Sequence, residues 1–311
     1  MAEPRTPSRS SSAGIPIDWG SLAPLRIKAK SLAEGIYAGT HRSVRKGPGV
    51  EFGGHRPYVP GDDLRFFDRR ALLRHDRMMI REFETETDRA LWLIVDGTAS
   101  MAYRSPRAPG AKLAYGALIA AALARVALST GDPVGLEWIG GRGVLHLPPS
   151  SGREAFDRVT GALEGAAAAG DASADEGAMD RAIAPVARRA RRGSVVVLVS
   201  DLLDLPPGAL SAFSALGAGG RGLVVLQVLD PNEADLGFSG HVRLRALEGN
   251  TVIETDAEEV RATYKARLAA ITERWSTEIV ARGGRLVEAT TDKPPADVVR
   301  EIVRAIAEAR A

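Results

Sequence analysis

The 311-residue chain contains no cysteine, which excludes disulfides, thiolate metal sites, iron–sulfur clusters and a cysteine nucleophile. Its histidines (His41, His55, His75, His146 and His241) are scattered and never fall at His-x-x-x-His or His-Glu-x-x-His spacing, so no zinc site is expected. No Gly-x-Ser-x-Gly elbow occurs, and the Gly-rich stretch 217–220 lacks the Lys-Ser/Thr of a phosphate loop. An excess of one charge is also missing. The 41 basic residues face 39 acidic ones, for a net charge of +2, which does not by itself call for nucleic acid or an anionic membrane. No stretch is expected to cross a bilayer, because residues 113–128 are interrupted by Arg125 and the run at 195–200 is short. The N-terminus is polar and has no apolar signal core. These absences together lead to an expected cytoplasmic location and no membrane partner.

What is present is ordinary globular composition, 45% hydrophobic and 26% charged, with a length suggesting about two domains. Residues 1–20 are rich in Ser, Pro and Arg and read as a flexible tail, followed by a short helix over 21–35. Residues 41–81 hold ten Arg/Lys against five acids, so the basic character is concentrated there. Beyond residue 88 the pattern becomes regular. Buried strands are expected at 91–95, 195–199 and 223–229, with others at 134–139, 144–147 and 286–289. Helices are expected at 111–129, 153–164, 176–191, 207–216, 257–282 and 294–310, with a loop at 165–175 and a polar edge hairpin at 242–255. Strands alternating with helices predict an α/β fold with a mostly parallel central sheet and helices on both faces, its functional loops beyond the carboxyl ends of the strands.

Two of those strand ends are acidic. Asp96-Gly97-Thr98-Ala99-Ser100 places one carboxylate and two hydroxyls on alternate residues, and Ser200-Asp201-Leu202-Leu203-Asp204 follows a second strand. Converging oxygens of this kind suit a hard divalent cation such as Mg²⁺. Neutral hydroxyl ligands leave such a cation short of negative charge, so it seeks a carboxylate from elsewhere, which favours docking an acidic side chain over activating water. The alternative is structural: a strand-to-helix turn whose Asp and hydroxyls cap the next helix.

The Asp-x-Thr-x-Ser loop with the later Ser-Asp pair resembles the metal-ion-dependent adhesion site of von Willebrand factor A-type domains. Upstream, Gly39-Thr40-His41-Arg42-Ser43, Lys46-Gly47-Pro48-Gly49-Val50-Glu51-Phe52 and Arg56-Pro57-Tyr58-Val59-Pro60-Gly61-Asp62-Asp63-Leu64-Arg65 look like the signature of a bacterial family, domain-of-unknown-function fifty-eight. The resemblance implies a Rossmann-like von Willebrand A-type domain at 89–311, preceded by a smaller Arg/Gly-rich signature module at 32–88 and by the tail and short helix of 1–31. It implies no established catalytic activity and a functional link to MoxR-type AAA+ ATPases, which commonly accompany such proteins and are thought to assist complex assembly. Thr98 stands where Ser is usual, and no Thr occurs between Thr160 and Thr251, so Ser173 alone replaces the usual downstream Thr ligand. Asp68-Arg69 replaces a common Asp-Trp, and the membrane helices with which many relatives begin are absent.

The expected function is therefore a non-enzymatic adaptor. Mg²⁺ or Mn²⁺ would be held by Asp96, Thr98, Ser100, Ser173 and Asp201 and would accept an acidic side chain from a partner protein. Arg56, Tyr58, Asp62, Asp63 and Arg65 form either a structural charge network or a partner-docking face. Two other classes stay open: a phosphoesterase-like hydrolase using Asp96, Asp201 and Asp204, and nucleic-acid binding through 41–81. The hydrolase lacks the clustered carboxylates or histidines of two-metal sites. The binder has few aromatics for base stacking, namely Phe52, Tyr58, Phe66 and Phe67.

Overall fold

The computed structural model describes residues 14–37, 51–58, 68, 78–84, 89–152, 154–175, 177–248 and 251–309. The chain divides into two units, one of residues 1–39 with 89–311 and one of residues 40–88. The helix Leu25–Tyr37 thus belongs with the A-type domain, whereas the sequence reading divided the chain at 31/32.

The elements in chain order are β1 (Ile15–Pro16), α1 (Leu25–Tyr37), β2 (Glu51–Pro57), β3 (Met79–Glu84), β4 (Leu91–Gly97), α2 (Lys112–Ser129), β5 (Val134–Gly140), β6 (His146–Ser150), α3 (Ala155–Glu164), β7 (Ala167–Ala168), α4 (Ala178–Arg189), β8 (Val195–Ser200), α5 (Ala209–Leu216), β9 (Gly222–Leu229), α6 (Pro231–Asp235), β10 (His241–Arg245), β11 (Val252–Asp256), α7 (Ala257–Ala281), β12 (Arg285–Thr290) and α8 (Pro295–Ala309). In the unit of residues 40–88, β2 and β3 pair antiparallel with a register shift between Phe52 and Gly54. The Tyr58 amide continues this ladder by donating to the Met78 carbonyl, and the Asp68 amide donates to the Met79 carbonyl.

The other unit is organised by a six-stranded sheet in the order β12-β9-β8-β4-β5-β6. Five strands run parallel, and β6 is antiparallel to β5. Strands β4, β8 and β9 are buried throughout, which is why they read as continuous apolar runs without alternation. Side-chain alternation splits β4 between two cores. Leu91, Leu93 and Val95 join the cluster under α1, α2, α3 and α8. Trp92 and Ile94 join the cluster under α4, α5 and α7. From β4 the chain builds outward to β5 and β6, then returns to lay down β8, β9 and β12 on the opposite side. The order of construction therefore reverses between β4 and β8, and a crevice opens at such a point beyond the carboxyl ends.

Four details depart from expectation. The tail segment at Ile15–Pro16 pairs with β7, inside the stretch read as a loop. The hairpin β10–β11 forms a sheet of its own, away from the edge of the central sheet. Along α7, of the apolar residues Val260, Tyr264, Leu268, Ile271, Trp275 and Ile279 at helical spacing, only Trp275 and Ile279 are fully buried, and the other four are half-buried. Finally, α2 is long and apolar enough to cross a membrane by length and composition, although 72% of it is buried inside the fold as a core helix.

Candidate functional site

Strand β4 ends at the reversal point with Asp96, and the chain then turns through Thr98 into a short 3-10 turn, Ala99–Ala102. Asp96 is completely buried, and its carboxylate organises the loop. Oδ1 accepts from the Thr98 amide at 2.9 Å and the Thr98 hydroxyl at 2.7 Å. Oδ2 accepts from the Ser200 hydroxyl at 2.6 Å, tying β4 to the end of β8. The capping alternative is met only in part: Asp96 closes the turn, but Thr98 makes no side-chain cap to the following 3-10 turn. Burial pushes the Asp96 carboxyl up to about 7, and the nearby Asp201 adds to this. The hydrogen bonds from Ser200 and Thr98 oppose the rise.

Thr98 Oγ1 lies 3.1 Å from Ser100 Oγ. Adjacent oxygens around an octahedral Mg²⁺ with ordinary bond lengths stand about 3 Å apart, so these hydroxyls are spaced as neighbouring ligands. Among the described residues no three Asp, Glu or His side chains converge as a metal-ligand group. A cation here would rest on hydroxyls with Asp96 behind them, and the donor set fits that arrangement.

The neighbouring loop, 169–171, is stitched to the β4 turn: the Ala99 amide donates to the Gly170 carbonyl at 3.0 Å, and the Ala169 amide to the Gly97 carbonyl at 2.8 Å. Ser173 belongs to this loop but is exposed, and its hydroxyl is turned onto its own Asp171 Oδ1 at 2.6 Å. Asp201 reaches the same end of the sheet, but both its oxygens are engaged. Oδ2 bonds Lys112 Nζ at 2.7 Å and Oδ1 accepts the Leu203 amide at 2.9 Å. Lys112 is fully buried and also bonds Glu233 Oε1 at 2.8 Å. Burial works to lower its pKa, but Asp201 and Glu233 outweigh that and hold it raised. Glu233 also accepts the Asp230 amide through Oε2 at 3.1 Å. The third carboxylate of the strand-end motif, Asp204, is exposed at positive φ. Its pKa is raised by burial around it and by Asp201 and Asp171.

Sequence reasoning missed Glu248. It lies in the turn of the β10–β11 hairpin, and its Oε1 accepts the Ser100 amide at 3.0 Å. Burial raises its pKa, while the Ser100 amide and the Ser100 and Thr98 hydroxyls pull it back. Glu248 carries no local signal, since it stands 148 residues from Ser100 in a polar turn. Of the upstream candidates, Arg56 lies in β2 opposite Ile80 and Tyr58 just beyond it, while Asp62, Asp63 and Arg65 fall outside the described residues.

Sheet order, the antiparallel edge strand and the hydroxyl-bearing turn at the reversal point define a von Willebrand A-type α/β domain. The sequence model of the family described as "Protein of unknown function DUF58" matches residues 54–274, and the chain belongs to that family. It is 30% identical over 296 residues to "Uncharacterized protein Mb1516" of Mycobacterium bovis and to "Uncharacterized protein Rv1480" of Mycobacterium tuberculosis, spanning 93% of this chain and 89% of each relative. Among solved structures it is similar to the conserved hypothetical protein BatB from Bacteroides thetaiotaomicron (TM-score 0.45). It is also similar to an aerotolerance-related membrane protein from Bacteroides fragilis (TM-score 0.43). Both are 17% identical, over 70% of this chain and 98% of theirs.

Proposed function

We propose that the protein is a non-enzymatic adaptor that docks an acidic side chain of a partner protein through a divalent cation. Thr98 and Ser100 hold the Mg²⁺ or Mn²⁺ directly, and Asp96 supplies negative charge from beneath. The cation's role is that of a Lewis acid that takes a carboxylate into its open position. The observation that carries this reading is the pair of hydroxyls 3.1 Å apart above a buried carboxylate, at the reversal point of the sheet.

Lys112 changes the part given to Asp201. With its oxygens committed to Lys112 and Leu203, Asp201 acts as a structural anchor beside the site. Ser173, exposed and with its hydroxyl donated to Asp171, is left out of the ligand set. The same commitment of Asp201 weighs against a two-metal hydrolase, which needs free clustered carboxylates. By the family resemblance the natural partner is a MoxR-type AAA+ ATPase or a client of its assembly reaction.

Isothermal titration of the full chain with Mg²⁺ and Mn²⁺ tests the cation. Saturable binding lost in Ser100→Ala and Asp96→Ala is expected, and no heat at millimolar ion overturns the reading. Capture of partners from native lysate, with and without chelator, tests the docking step.

A further inference from the structure

The candidate site already has a carboxylate in it, delivered by the chain itself. Glu248 Oε1 accepts the Ser100 amide at 3.0 Å, which sets its carboxylate beside the turn that bears the paired Thr98 and Ser100 hydroxyls. These are the groups that would surround an incoming acidic side chain. Ser100 and Thr98 belong to the central domain's β4 turn, whereas Glu248 rides on a two-stranded sheet that joins no other.

The arm that carries Glu248 is lightly held. Leu247, Val252 and Ile253 are exposed on it and Val242 and Leu244 only half-buried, so no fully buried side chain anchors its strands. A two-stranded hairpin without a packed face is marginally stable in water. Its base is fixed by polar bonds: the Gly240 amide donates to Glu258 Oε2 at 2.8 Å, and the Ala257 amide to the Gly240 carbonyl at 3.0 Å. A group on such an arm can leave its seat at small cost, because few buried contacts are lost when it opens.

We infer that Glu248 is a resident ligand of the carboxylate seat, and that a partner's acidic side chain binds by displacing the β10–β11 hairpin tip. This rests on the reading above that the seat accepts a carboxylate. The free protein is then self-occupied, and partner affinity is set by competition with Glu248. Any change that lifts the hairpin raises that affinity by the factor by which it empties the seat.

The test uses the full chain as wild type, Glu248→Ala and Glu248→Gln, with Val252→Thr as an exposed control on the same hairpin. Hydrogen exchange of the 98–102 segment in metal-free buffer reads the Ser100 amide. Titration of each chain with Mn²⁺ reads the cation. Titration of the Mn²⁺-loaded chains with N-acetylglutamic acid α-amide, whose single charge is the side-chain carboxylate, reads the seat. Glu248→Ala is expected to speed Ser100 exchange, and to tighten probe binding, by about tenfold or more, as loss of a hydrogen bond to a charged group implies. Glu248→Gln, which keeps an acceptor oxygen without the charge, is expected between Ala and wild type, and Val252→Thr at wild type. Unchanged exchange, or unchanged probe affinity in Mn²⁺-loaded Glu248→Ala, overturns self-occupancy. Faster exchange with no Mn²⁺ binding in any chain retires the cation and leaves the occupied seat standing. Mn²⁺ binding with unaltered exchange does the reverse.

Discussion

A carboxyl group buried at the end of a strand has to be satisfied entirely by its neighbours, and Asp96 is satisfied by three donors on two segments. Without a cation its pKa rises from 3.8 to about 7, so between those values the folded chain holds a proton that the unfolded chain has released. Between those values the native state binds more protons, and stability is highest at the acid end and falls as pH climbs through the window. Asparagine at this position can accept the Thr98 donors through oxygen and offer its amide to Ser200. Asp96→Asn should therefore flatten the decline between about pH 4 and about pH 7, measured by urea midpoints. Lys112 makes the opposite case. It stands at the first residue of α2, where a cation opposes the positive end of the helix dipole, and only its bonds to Asp201 and Glu233 compensate. Lys112→Met leaves two carboxylates facing each other without a counter-charge and should cost about 3–5 kcal/mol in chemical denaturation. Adding Asp201→Asn should recover most of that loss. Neither Lys112 nor Glu248 could be singled out from the sequence, because each acquires its meaning from a partner 89 or 148 residues away.

Elements buried on all sides were the easiest to read. The strands β4, β8 and β9 stand out as short apolar runs, and the acidic residues closing two of them mark the site's position, since a parallel sheet puts its loops there. Elements that depend on distant packing were read less well. The β10–β11 alternation predicts a hairpin but cannot say that it forms a separate arm. Likewise the apolar spacing along α7 predicts a buried face but not that its N-terminal half is only half-buried. Close approach between elements is similarly hidden until coordinates exist, and Gly116 of α2 is an instance. A Cβ there would stand 2.7 Å from Val199 Cγ1 on β8. On helix propensity alone, Gly116→Ala would gain about 1 kcal/mol. The β-branched Val199 cannot swing aside, so we expect a net loss of about 1–3 kcal/mol from overpacking, read as a lower thermal midpoint. Val199→Ala in the same chain should restore the helix gain.

At the scale of the whole molecule, the von Willebrand A-type sheet is only one part of a domain that also recruits chain from before the basic segment. Leu22, Leu25, Ala29 and Ile36 are buried in the same core as α2, α3 and α8, although residues 40–88 separate them from the rest of the domain in sequence. That contribution has a physical reason. Helix α2 is apolar enough to pass for a membrane span, so the flank turned away from the sheet needs a cover, and α1 with α3 and α8 supplies it. Each buried Leu or Ile contributes about 1.5–3 kcal/mol, against a total domain stability of only about 5–15 kcal/mol. Leu25→Ala alone should therefore cost about 2–5 kcal/mol with the sheet otherwise intact. Removal of residues 1–37 should uncover a contiguous apolar patch on α2, seen as dye binding, loss of the cooperative thermal transition and self-association on gel filtration. A truncated chain that keeps the wild-type midpoint and elutes as wild type would show that α1 is an accessory, and that the A-type domain closes its core without it.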